Sequence, residues 1–122
     1  MSYDIHMVDP TTKKMAKSKR RLFLKGGTYA KNGTQYLQLN ITYNYSNFYY
    51  NLISKKMGIR WIYNKTGKEC LPVLENAIAQ LGTEQSDDYW EATPATPGNA
   101  GNALFGLITF CKMCPEGIFD DD

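Results

Sequence analysis

The sequence predicts an α+β fold: an antiparallel sheet of three to four strands from the N-terminal half, with about three helices packed on one face. Three observations predict it. Tyr3 to Val8 and Leu37 to Tyr43 alternate apolar and polar residues with the period of a strand. From Ser46 onward the apolar residues recur with the period of a helix. Strands come first and helices after, an order that belongs to α+β chains rather than to alternating βαβ units. With 122 residues, 43% of them hydrophobic and 21% charged, the chain has the composition of a folded globular protein and room for one core, so a single domain over 1–122 is expected.

The elements follow in order. Tyr3, Ile5 and Met7 form one face of the first strand, and Asp9-Pro10 ends it, because proline restrains the residue before it and donates no hydrogen bond. A basic loop over 10–20 comes next, then a short strand over 21–25 that Gly26-Gly27 interrupts. Lys31-Asn32-Gly33 reads as the turn of a hairpin joining 28–30 to a long strand over 34–43. Phe48, Tyr49, Leu52, Ile53 and Met57 form one helical face, with Asn44 or Ser46 as its N-cap and Gly58 at its end. Ile59 to Tyr63 is apolar, and its period fits a strand or a helix. A helix over 69–81 buries Cys70, Leu74, Ala77 and Leu81, with Pro72 in its first turn and Gly82 as its stop. A Pro-rich loop spans 83–97. A last helix runs from Gly98 to Met113 until Pro115 halts it, and the acidic tail 120–122 is expected to fray.

Charge is unevenly distributed. Residues 1–31 carry eight Lys/Arg against two Asp, a net of +6, while 32–122 carry six against ten, a net of −4. Lys13, Lys14, Lys17, Lys19, Arg20 and Arg21 concentrate the positive charge, which suits a phosphate backbone or a solvated surface loop. No apolar run reaches the ~20 residues of a membrane span. No basic start or apolar core of a secretory signal is present, and three cysteines, an odd number, fit free thiols in a reducing compartment.

Three constellations carry candidate chemistry. Gln38, Asn40, Thr42 and Asn44 share one strand face, and their amides and hydroxyls both donate and accept, which suits sugar hydroxyls or base edges as well as water. Thr96-Pro97-Gly98-Asn99-Ala100-Gly101 opens a helix, where free N–H groups and small residues fit an anion. It lacks the Lys-Ser/Thr pair of a P-loop, and its glycines equally suit tight helix packing. Nine tyrosines and two tryptophans form the third set, in which Tyr45, Tyr49, Tyr50, Tyr89 and Trp90 lie near the polar motifs and offer flat surfaces for stacking or for a core. Cys111-Lys112-Met113-Cys114 closes a helix instead of opening one, so no dipole activates a thiolate. Cys70, Cys111, Cys114 and His6 lack the paired spacing of structural zinc, so no metal and no cofactor is expected. Asp4 and His6 share a strand face without an evident nucleophile, which argues against an enzyme.

Met1-Ser2-Tyr3-Asp4-Ile5, Gly26-Gly27-Thr28-Tyr29, Leu39-Asn40-Ile41-Thr42-Tyr43-Asn44-Tyr45, Gly58-Ile59-Arg60, Asp87-Asp88-Tyr89-Trp90-Glu91-Ala92-Thr93 and Gly98-Asn99-Ala100 occur in this order. Together they resemble a family of small bacteriophage and prophage proteins without an assigned activity. The repeated Ala-Thr-Pro over 92–97 departs from that pattern and lengthens the loop. The resemblance implies a phage protein acting in the host cytoplasm. By analogy with small phage proteins that have no catalytic set, it implies a non-enzymatic binding role in counter-defence.

The leading expectation is sequestration of a nucleotide-like host immune signal by a homo-oligomer. Asn40, Thr42 and Asn44 would read sugar or base, Gly98, Asn99 and Gly101 would hold phosphate, and Tyr45, Tyr89 or Trp90 would stack. The alternatives are a protein-binding inhibitor of a host defence complex, of the anti-CRISPR kind, and a nucleic-acid-binding protein acting through residues 13–21.

Overall fold

The computed structural model describes residues 2–22, 27–28, 34–84 and 95–121. The architecture is α+β: a sheet on one side, helices on the other, and the core between them.

Strand β1 (Ser2–Val8) buries Tyr3, Ile5 and Met7 and turns the alternate residues outward, as its sequence period requires. It lies at the centre of the main sheet. On one side it pairs antiparallel with β5 (Gln38–Thr42), Tyr3 opposite Ile41 and Asp4 opposite Asn40. On the other side it pairs with β6 (Ile118–Asp121), Met7 opposite Phe119 and His6 opposite Asp120. The two-residue β3 (Gly27–Thr28) completes the order β3-β5-β1-β6. The fourth strand therefore comes from the C-terminal tail that was expected to fray. Phe119 is fully buried, and that anchor holds the aspartates beside it in the ladder.

Pro10 ends β1 through a tight hairpin. Val8 pairs with Met15, Asp9 N–H donates to Lys14 O, and Lys13 turns the chain with φ +62°. The Asp9 carboxylate accepts the N–H groups of Thr11 and Thr12, which closes the turn from inside. Those hydrogen bonds hold its pKa below the ordinary carboxylate value.

The basic run is a strand in its second half and not a loop. β2 (Lys17–Leu22) pairs with β4 (Thr34–Tyr36) in a separate two-stranded ribbon. The ribbon leaves the main sheet where three backbones meet. Met7 N–H donates to Leu37 O, Leu37 N–H to Ala16 O, and Ala16 N–H to Met7 O, a closed cycle of 2.8–3.0 Å bonds. The expected long strand over 34–43 breaks at this point, and Leu37 plugs the core beneath it. Asn32-Gly33 lies outside the described residues. At its described ends Thr28 faces Asn40, while Thr34 belongs to the ribbon, so the two do not face each other as arms of one tight hairpin.

Helix α1 (Ser46–Leu52) is shorter than its apolar period suggested and is entered through a 3₁₀ turn over Tyr43–Tyr45. Neither Asn44 nor Ser46 caps it. Thr42 caps the 3₁₀ turn through Asn44 N–H, and the Ser46 hydroxyl bonds Tyr3 Oη at 2.7 Å. Gly58 (φ +61°) opens a second 3₁₀ helix, Gly58–Ile62, which settles the ambiguous stretch and buries Ile59 and Ile62.

Helix α2 (Gly67–Leu81) starts two residues before the expected boundary, because Thr66 and Glu69 form a reciprocal capping box. Pro72 consequently stands inside the helix, past its first turn. Thr66→Ala is expected to cost about 1 kcal/mol, seen as a lower urea midpoint with an unchanged m value.

Helix α3 (Pro97–Met113) has Thr96 as N-cap and Pro97 in its first turn. It is buried on nearly every side, from Ala100 and Leu104 through Leu107, Ile108, Phe110 and Cys111, and forms the centre of the helical layer. Gly67 of α2 sits against the Cys111 backbone, where a Cβ would come within 3.0 Å of Cα. Tyr49 donates to Ala100 O at 3.0 Å in the core and so ties α1 to α3. No described helix is long and apolar enough to cross a membrane.

Candidate functional site

The polar stripe of β5 lies on the outer face of the sheet, opposite the core. Cross-strand register places Ser2 beside Thr42, Asp4 beside Asn40, and His6 between Gln38 and Asp120. Asn40 is drawn into this face: its amide donates to Ser2 Oγ at 2.7 Å and to the Asp4 carboxylate. His6 Nε2 stands 4.0 Å from Asp120 Oδ2. Asp4 and His6, adjacent on one strand face, are thus engaged by different neighbours, Asn40 and Asp120.

The glycine turn is built differently from the expected anion cradle. A Cβ on Gly98 would lie 2.0 Å from Glu84 O, and one on Gly101 would lie 1.8 Å from Gly82 O. The faces that would have approached a phosphate are therefore filled by the backbone that follows α2. Thr96 Oγ1 takes Asn99 N–H, Thr96 O takes Ala100 N–H, and Asn99 is fully buried. Packing explains these glycines, since only a residue without Cβ lets the two backbones touch.

Tyr45 likewise belongs to the core. It is 1% exposed, its ring meets Tyr49 edge-on at 6.4 Å, and burial raises its pKa. Tyr89 and Trp90 lie outside the described residues.

One group of exposed aromatic and cationic side chains lies at the rim where β5 runs into the 3₁₀ turn. The turn sends Tyr45 inward and leaves Tyr43 and Asn44 at the surface. Tyr43 packs on Tyr3, with ring centroids 4.5 Å apart at 60°. Tyr50 is seated over Gly58, where a Cβ would meet its ring at 3.3 Å. Arg60 donates from Nη2 to Tyr50 Oη at 2.9 Å. That bond, helped by the nearby phenols of Tyr3 and Tyr43, raises the arginine's pKa further and keeps it charged at any physiological pH. Asn44 thus lies at the rim beside Tyr43, Thr42 caps the turn from the outer sheet face that Asn40 also occupies, and the glycine turn is packed against the segment after α2.

Arg60 and Tyr43 were not among the expected site residues. Arg60 follows Gly58-Ile59, where a left-handed glycine turns the chain, but its pairing with Tyr50 is set by a tertiary contact.

Two features bear on other chemistry. Cys70 and Cys111 are buried, and burial pushes both thiols up to about 12, with the proximity of Cys70 adding to the effect at Cys111. Protonated, enclosed thiols of this kind are poor nucleophiles. Among the described residues no group of three His, Cys, Asp or Glu is placed to hold a metal ion. Comparison with known proteins finds no matching family model, no matching curated protein and no matching solved structure.

Proposed function

We propose that this chain is a non-enzymatic binding protein for a nucleotide-like ligand, held at the rim formed by Thr42, Tyr43, Asn44, Tyr50 and Arg60. The observation that carries the reading is the Tyr50–Arg60 hydrogen bond beside the exposed Tyr43 ring. It holds a permanent cation at the surface, where Tyr50 engages one of its five N–H donors among the described residues, near a flat aromatic face. A phosphate would take the guanidinium in a bidentate contact, and a base would stack on Tyr43. The amide of Asn44, exposed next to Tyr43 in the chain, adds neutral polar recognition. Removal of a nucleotide immune signal in the host cytoplasm is the role to which the resemblance to phage proteins points, and a second copy of the chain would enclose the shallow rim.

The test is titration calorimetry with a panel of linear and cyclic nucleotides, together with native mass spectrometry of protein taken from its host. Arg60→Ala is expected to weaken binding at least tenfold, since a charge-assisted hydrogen bond contributes about 1.5–3 kcal/mol. Tyr43→Ala should weaken it comparably, and Asn40→Ala should leave it unchanged. Equal affinity of wild type and Arg60→Ala overturns the site. A clean apo mass together with a stable complex with a host protein would favour the defence-inhibitor reading instead.

A further inference from the structure

We infer that the β2–β4 ribbon is a second binding surface, independent of the rim, that takes the phosphodiester backbone of single-stranded nucleic acid. The charge is one-sided: residues 10–31 contain eight Lys/Arg and no Asp or Glu. The carboxylate that precedes the run in sequence, Asp9, is turned into its own hairpin by Thr11 and Thr12. The basic run is not a loose loop, because Lys17, Lys19, Arg20 and Arg21 all lie on β2. The backbone of β2 thus carries four cationic residues within six positions, alternating between the two faces of the ribbon as strand residues do, with a register shift against β4 between Lys17 and Leu22.

An aromatic group accompanies these cations. Tyr36 is opposite Lys17 in the ladder and 41% exposed, and Lys17 Nζ lies 5.0 Å from its ring centroid. Lys13 and Lys14 add two exposed cations in the neighbouring hairpin. Cations that track a backbone, next to an exposed ring on which a base stacks, are the elements by which proteins hold single strands without reading their sequence. A strand also has the unpaired bases that stacking requires, whereas a duplex keeps its bases covered. Lysines on a strand also keep it from pairing with other chains, and an experiment separates that role from binding.

The experiment measures fluorescence anisotropy of a labelled dT20 strand against salt, using the full chain. Wild type should bind at 50 mM NaCl and lose affinity steeply by 200 mM. The variant Lys13→Asn, Lys14→Gln, Lys17→Gln should reduce the slope of log K against log salt by about 2, at ~0.7 per phosphate contact. Asn at 13 preserves the left-handed turn. Tyr36→Leu should weaken binding about tenfold, and Tyr36→Phe should restore it. Thermal melts confirm that the variants fold, and Arg60→Ala, which disables the rim, should bind dT20 like wild type. Three results overturn the proposal: no binding at 50 mM NaCl, an unchanged salt slope in the triple variant, or tighter binding to duplex DNA or to 3:1 phosphatidylcholine–phosphatidylglycerol vesicles than to dT20.

Discussion

Gly101→Ala is expected to unfold the protein or to lower its stability by more than about 4 kcal/mol, beyond the usual range for single substitutions. In a helix interior, alanine would ordinarily gain about 1 kcal/mol over glycine. Here the added carbon would sit 1.8 Å from Gly82 O and 3.2 Å from the Leu81 Cβ. A backbone carbonyl cannot swing aside as a side chain can, so α3 must move away from the end of α2. That movement opens the Leu104–Leu107 side of the core. Thermal unfolding followed by circular dichroism should show Tm lowered by roughly 10 °C or more, or no cooperative transition. Gly82→Ala serves as the control. A Cβ at Gly82 meets nothing within 4 Å, and only its backbone, φ +76° with ψ −177° in a region essentially confined to glycine, opposes the change, so the loss should stay at about 1–3 kcal/mol. Equal effects at the two positions would contradict the close contact.

Stability should also fall steeply in alkali, and two buried thiols account for the slope. Cys70 and Cys111 are held near 12 in the folded chain against an ordinary 9.0. Above pH 9 the unfolded thiols release protons while the folded ones keep theirs. The unfolded state then binds fewer protons, and unfolding becomes easier with rising pH until about 12. Each thiol contributes about 1.4 kcal/mol per pH unit across that window. Tyr45, raised from 10.0 by burial, steepens the decline in the upper part of the range. Urea midpoints measured from pH 7 to 11 should be flat up to about pH 9 and then drop. The Cys70→Ala, Cys111→Ala double variant starts from lower stability at neutral pH but should decline far less, and an identical slope in that variant would assign the effect elsewhere.

The parts of the fold that were legible from sequence are those where local chemistry and packing agree. Alternation alone marks β1, and Leu74, Ala77, Leu107 and Phe110 mark the buried faces of α2 and α3. Gly82 marks the end of α2, while the helix starts, set by the Thr66–Glu69 capping box and by Thr96 with Pro97, fall one or two residues before the expected boundaries. Long-range pairing overrode the local signal in three places. A run of Lys and Arg reads as a loop, yet β4 recruits it as a strand. Phe119, one apolar residue among aspartates, is too weak a pattern to announce β6, and its burial against Met7 decides the matter. Nothing at Leu37 marks a break, because the cycle with Met7 and Ala16 is made by backbones that are distant in sequence.

The candidate site was only half legible for a related reason. Asn and Thr on a strand announce a polar face, but not which of them the neighbouring strand will occupy, and Asp4 and Ser2 take Asn40. Glycines at a helix start fit anion binding and close packing equally. The backbone of Glu84 and Gly82 decides for packing. Arg60 gave little signal, because its value depends on Tyr50 being set over Gly58, a contact that no local spacing predicts.

The placement of β1 has a consequence for how the protein is made. Its two neighbours in the sheet come from residues 38–42 and 118–121. A nascent chain emerging N-terminus first can pair β1 with β5 early, but one edge of β1 stays bare until the last of these residues leaves the ribosome. Pairings so far apart in sequence also slow folding, since the intervening chain must be closed before the contact is rewarded. During synthesis that bare edge, carrying Ile5 and Met7, is the region of the molecule most in need of a chaperone.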